Sequence, residues 1–124
     1  MALSKLSASL APTQVNAGLS ESAPFASGPI DVGYGINGTM RIANRSSAPT
    51  AGAWCAVQGR GPESTSDDDW RYVVPPVQAG IEGSKPYDFP FSVEMGIAQI
   101  RYVAFGNATN HVDFSVQAGR VTAM

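Results

Sequence analysis

His111, Asp113 and Ser115 have the composition of a base, an orienting acid and a nucleophile. They fall at i, i+2 and i+4 of one stretch. On a strand all three point to the same face, with neighbouring Cα atoms about 6.5–7 Å apart. A nucleophile and its base need heavy atoms about 2.6–3.2 Å apart. The spacing therefore predicts a polar face turned to solvent or to a partner, opposite the apolar Val112, Phe114 and Val116. Asp67, Asp68 and Asp69, with Glu63 nearby, offer carboxylates of the kind calcium takes. The run lacks the ligand spacing of a calcium loop, and consecutive acids among Ser and Gly predict a turn instead. A single His and a single Cys do not make a zinc site. Cys55, between Trp54 and Ala56, reads as a small core residue, since nothing near it in sequence would lower its pKa. Trp54, Trp70 and Tyr87 could stack on sugars, but the more economical reading is that they fill a core. No glycine pattern suits phosphate. The Asn-x-Ser/Thr sites at Asn37, Asn44 and Asn107 matter only in a secreted chain. The sequence thus gives no catalytic residue, no cofactor site and no metal ligand, and the chain is expected not to be an enzyme.

The elements that would position these residues are strands. From residue 30 onward the apolar period is two. Ile30, Val32 and Tyr34 alternate with Asp31 and Gly33, and Met40 and Ile42 with Thr39, Arg41 and Ala43. Residues 53–58 are largely apolar, Trp70, Tyr72 and Val74 alternate, and Tyr87, Phe89, Phe91 and Val93 give the cleanest alternation. Residues 97–105 are apolar on both faces apart from Gln99 and Arg101, and Val112, Phe114, Val116 and Ala118 close the series. Such a pattern means half-buried strands. Gly33-Tyr34-Gly35 and Asn37-Gly38 suggest a break between the first two strands, Asn-Gly suiting a tight hairpin. Pro75-Pro76 should stop the Trp70 strand, and residues 106–110 should join the last two strands as a hairpin. Pro90 marks an edge strand or a bulge. The expectation is an all-β fold, a single β-sandwich of about 7–8 antiparallel strands, immunoglobulin-like or jelly-roll in topology. Its core is predicted from Met40, Ile42, Val57, Phe89, Phe91, Ile100, Tyr102, Phe114 and Val116.

Charge narrows the function classes. Only 15% of the 124 residues are charged, which suits a surface packed against partners, and the net charge is −2. Eight Lys and Arg are scattered singly, so neither a phosphate-binding patch nor a nucleic-acid partner is expected. Apolar runs are too short to cross a membrane as a helix, and no apolar stretch of signal-peptide length follows Lys5. With one Cys, no intrachain disulfide can form. Synthesis in the cytoplasm is the simple expectation.

Residues 1–29 are rich in Ala, Ser, Pro and Thr and read as an extended N-terminal arm before a domain at 30–124. Leu3, Leu6 and Leu10 are the arm's candidate partner-binding residues, with Val15, Leu19 and Phe25 its other large apolar groups. These are too few for a second core. The arm is expected to be dispensable for folding and to lie on a neighbouring subunit or add a strand to it.

Residues 37–60 (NGTMRIANRSSAPTAGAWCAVQGR), then SDDDWRYV, then IRYVAFGNATNHVDFSVQA, carry a further signal. Their order resembles that of small structural proteins of tailed bacteriophages, over residues 30–119. There too a strand ending in Asn precedes a Pro-containing loop, a strand and an acidic turn before Trp. An Arg-aromatic strand, a Gly-Asn turn and a last strand follow. The resemblance implies a β-sandwich virion component, such as a capsid decoration protein, a head-fibre base or a neck or tail protein. It carries no catalytic residues. The expected partners are other virion proteins, major capsid or neck/tail subunits, with homo-oligomerisation, and the expected location is the virion. The alternative is a carbohydrate- or ligand-binding β-sandwich module, which should show Trp or Tyr side by side on an exposed face.

Overall fold

The computed structural model describes residues 4–16, 18–44, 53–64, 66–79, 85–94, 96–106 and 111–123. Ten strands follow in order: β1 (Ser4–Ser7), β2 (Leu10–Val15), β3 (Phe25–Ala26), β4 (Ile30–Asp31), β5 (Gly35–Asn44), β6 (Trp54–Arg60), β7 (Arg71–Gln78), β8 (Tyr87–Glu94), β9 (Gln99–Phe105) and β10 (Val112–Ala123). All pairings between them are antiparallel. One sheet runs β1-β10-β5-β8 with β2 also on β10, and the other β3-β9-β6-β7 with β4 also on β9. β5 occupies one side of β10, so β1 and β2 share its other side as one broken edge strand. β3 and β4 share the side of β9 away from β6 in the same way. Counting each broken strand as one rank, the sheets read 1-8-3-6 and 2-7-4-5. That order is the jelly roll, two interlocked Greek keys.

The interior is filled by the alternation expected. Tyr102, Phe114, Ile36, Met40, Ile42, Ile100, Val32, Val57 and Val116 are fully buried between the sheets. Phe91 is also buried, and Phe89 packs half-buried against the same core. Phe91 meets Tyr102 edge-on at 5.8 Å between centroids, and Phe25 meets Phe114 likewise at 6.2 Å. Such aromatic pairs add to the area they bury.

Several local expectations are corrected. Asn37-Gly38 is not a turn; both residues lie within β5, and the turn is at Gly33-Tyr34. Gly38 is there because β10 passes very close: a Cβ on it would sit 2.3 Å from the Gln117 carbonyl oxygen. Pro75-Pro76 does not stop β7: β7 is an edge strand, and its pairing with β6 shifts register at the prolines, between the Val57–Val74 and Cys55–Val77 pairs. β9 and β10 do not form a hairpin, because they belong to different sheets; of the loop expected at 106–110, residues 107–110 lie outside the described residues. Tyr34, in phase with Ile30 and Val32, is 50% exposed because it sits in the turn rather than in a strand. Pro90 does lie on an edge strand, β8.

Residues 4–16 run along their own domain as β1 and β2. Ala8 and Val15 are buried in the core, and Tyr102 Oη donates a 2.7 Å hydrogen bond to the Ala8 carbonyl from the opposite sheet. The break between β1 and β2 has a local cause. Ser9 Oγ accepts from Ala118 N–H at 3.0 Å, replacing a backbone carbonyl in the ladder.

Candidate functional site

With the interior filled, outward faces are what remains for function. On the β1-β10-β5-β8 sheet the register brings Ser115 opposite Arg41 and Arg41 opposite Asp88, with Gln117, Thr39 and Pro90 in the next row and Asp113 opposite Ala43. These residues and Pro12 line an open groove of about 700 Å³. Most of them are short, so the sheet itself is the floor. Arg41 grips Asp88 with two hydrogen bonds, Nε to Oδ1 at 2.7 Å and Nη2 to Oδ2 at 3.0 Å. Those bonds hold the Asp88 carboxyl below the usual carboxylate range and raise the Arg41 guanidinium. Asp113 is also engaged in a contact of its own.

The structure therefore places Asp113 and Ser115 in the groove, as the period of two predicted, while His111 is exposed just before β10 and does not line it. Thr39, Arg41, Asp88 and Gln117 were not singled out from sequence. They are the out-of-phase partners of Met40, Phe89 and Val116, so their direction was legible. Their meeting was not, since it depends on pairing between strands 47 and more residues apart.

The outer face of the other sheet holds a second cluster. Arg60 and Arg101 both pack on the Trp70 ring, their Cζ atoms 4.4 and 4.8 Å from its centroid. Arg60 donates to Gln99 Oε1 through Nε and Nη2, and Gln99 Nε2 passes a bond to Asp31 at 3.0 Å. Arg101 Nε donates to Gln58 Oε1 at 2.8 Å. Partial burial lowers the Arg101 guanidinium, Asp67 opposes that shift, and the like charge of Arg60 adds to it. Trp70 Nε1 is buried with no hydrogen-bond partner among the described residues. Nearby, Tyr72 Oη donates to Glu21 at 3.0 Å, tying the segment before β3 across the face to β7.

The other candidates fall as follows. Trp70 is buried, but under two arginines outside the main core; Trp54 stacks on Phe105 at 6.4 Å on the outer face; Tyr87 packs half-buried on the core. None of the three lines the groove. Asp67–Asp69 form a 3-10 turn capped by Ser66, whose N–H donates to Asp69 while its Oγ accepts from Asp68 N–H. Cys55 is buried, and burial pushes its thiol up to about 12. Leu6 is 55% exposed on β1, whereas Leu10 packs half-buried against the core. Leu3 lies outside the described residues.

No family model matches the sequence, and no curated protein matches it. Among solved structures, the VP2 subviral particle of infectious bursal disease virus superposes with a TM-score of 0.49 and 12% identity, over 98% of this chain and 32% of that one. The Gx strain of the same virus gives 0.48 and 15%, over 98% and 32%. A family 16 carbohydrate-binding module gives 0.46 and 12%, over 92% and 73%. The chain spans about a third of the length of the two viral chains. The jelly-roll assignment rests on the strand order above, not on these neighbours.

Proposed function

We propose that the chain is a non-enzymatic structural protein of a bacteriophage virion that binds neighbouring capsid or tail subunits in a decoration, cement or connector role. The observation that carries the reading is the β1 edge. Every other edge strand holds a proline or starts behind one: Pro12 in β2, Pro75 and Pro76 in β7, Pro90 in β8, and Pro24 and Pro29 before β3 and β4. Proline blunts an edge against added strands. β1 has none, and Leu6 on it is exposed. A short edge without proline, bearing an exposed Leu beside Lys5, suits strand addition, with backbone bonds supplying affinity and the Leu a pocket contact. The jelly roll is a fold of capsid and lectin domains, which fits without deciding between them.

Light scattering on the purified chain should give an oligomer, and an antibody against the chain should label particles pelleted from the source lysate. Leu6→Lys should abolish particle binding while leaving the melting temperature in place. A monomer found only in the low-mass fraction would sink the reading. The alternative, a carbohydrate- or ligand-binding module, calls for Trp or Tyr side by side on an exposed face, and no Trp or Tyr is among the described residues that line the groove on the β10-β5-β8 face.

A further inference from the structure

We propose that residues 4–15 are exchanged between copies of this chain, so that β1 and β2 of one copy complete the β10 edge of another. The inference rests on the reading of the chain as an oligomer and names the element that joins the copies.

The segment hangs from a single strand. Among the described residues, β1 and β2 pair with β10 and with no other strand. What they bury is small: Ala8 between them and Val15, with Leu10 half-buried. Past Val15 the chain changes sheets. The Leu19 carbonyl already accepts from the Gly106 N–H at 2.9 Å, one residue beyond β9. Gly18 lies on that passage at φ +86°, and a Cβ on it would meet no other atom within 4 Å. Packing around Gly18 therefore does not impose its left-handed backbone. The turn back onto the chain's own β10 requires it, and with Gly18 extended the same segment leaves for a neighbour. The chain beyond the pivot is held separately, by Tyr72 Oη donating to Glu21 at 3.0 Å and by the Ser27 N–H donating to the Tyr102 carbonyl at 2.9 Å.

The vacated seat selects its occupant. Without β1 and β2, β10 bares a 12-residue edge that holds no proline. Such an edge is a template for another strand. Ser9 Oγ accepts from the Ala118 N–H at 3.0 Å and donates to the Ala118 carbonyl at 3.3 Å, at the step where β1 gives way to β2. Tyr102 Oη needs a carbonyl where Ala8 provides one, and the core beside Val112 needs a side chain of the size of Val15. The same segment of a second copy meets all of these at once. Exchange then remakes between chains the bonds it breaks within one, a low-cost route to an oligomer.

The test is a disulfide trap in the full chain. Gln14 and Asp113 are opposite each other in the β2–β10 register. Such partners lie about 4.5–5.5 Å apart at Cα, inside the roughly 4.4–6.8 Å that a disulfide spans. The variant carrying Gln14→Cys and Asp113→Cys is concentrated, separated by size, oxidised, unfolded in iodoacetamide to block the buried Cys55, and run on a non-reducing denaturing gel. The oligomer fraction is expected to yield chains linked to one another, and the monomer fraction a bridge within one chain. Gly18→Val, which disfavours the left-handed turn, should raise the oligomer share at a fixed low concentration by about tenfold. If the first variant does not fold, Lys5→Cys with Val121→Cys traps the same contact through β1. A chain monomeric at every concentration, an oligomer whose bridges all lie within single chains, or an oligomer share indifferent to Gly18→Val would each overturn the exchange. Particles that carry the antibody label while every bridge lies within one chain would end this proposal and leave the virion reading standing.

Discussion

Phe114 touches Phe25 edge-on and sits in the centre of the core, so its truncation removes contacts that nothing nearby can replace. Phe114→Ala should cost about 3–5 kcal/mol by denaturant titration. Cys55 gives a pH-dependent counterpart. Burial holds its thiol at about 12, against about 8.5 for a free one. The neutral thiol therefore stabilises the fold fully below the unfolded value, and that contribution is lost as the pH rises through the alkaline range toward 12. Iodoacetamide should leave Cys55 unlabelled in the native protein and label it once denatured, and rapid native labelling would contradict its burial. Gly106 is a different case: its φ is +94°, and a Cβ there would fall 2.4 Å from Trp54 Cδ1. Gly106→Ala should lower the melting point through both backbone and contact. Phe114 was legible from alternation and Cys55 from the largely apolar run at 53–58. The partner of Gly106 was not, because a strand-end glycine does not announce which indole will cover it.

At the scale of elements, period two located β5 to β10 but said nothing about which strands pair. Asn37-Gly38 misleads because glycine serves a close strand approach there as readily as a turn. The expected hairpin between β9 and β10 misleads because strands adjacent in sequence can belong to different sheets. The N-terminal segment hides for a composition reason: its buried residues, Ala8 between β1 and β2 and Val15 at the end of β2, are small and seven positions apart, so they give no alternating apolar signal. The pairing of β1 and β2 with β10 bears on the expected dispensability of the arm. Deleting residues 2–20 should bare the β10 edge and remove the bond from Tyr102 to Ala8, with a clear loss of melting temperature. An unchanged melting point would show that β1 and β2 are only lightly held. The Arg41–Asp88 pair, by contrast, is exposed on both sides, and Arg41→Ala should barely move stability.

At the scale of the whole molecule, a filled interior separates this jelly roll from those that hold their chemistry inside the barrel. Among the described residues no group of three or more His, Cys, Asp or Glu is placed to hold a metal ion, and Asp69 is occupied in capping its own turn. EDTA should leave the melting temperature unchanged; a drop reversed by calcium would revive the Asp67–Asp69 loop. The groove and the β1 edge lie on the same sheet, at its face and at its rim, so one sheet serves both surfaces and the other carries the Arg60–Trp70–Arg101 cluster. The pairing of Ser4 with Ala123 has a geometric consequence. Antiparallel partners at that register bring the start and the finish of the described chain to one corner of the sandwich. Cargo fused at either end would therefore hang from the same corner, and a short flexible linker could join the ends into a circular permutant with its new opening placed in a distant loop.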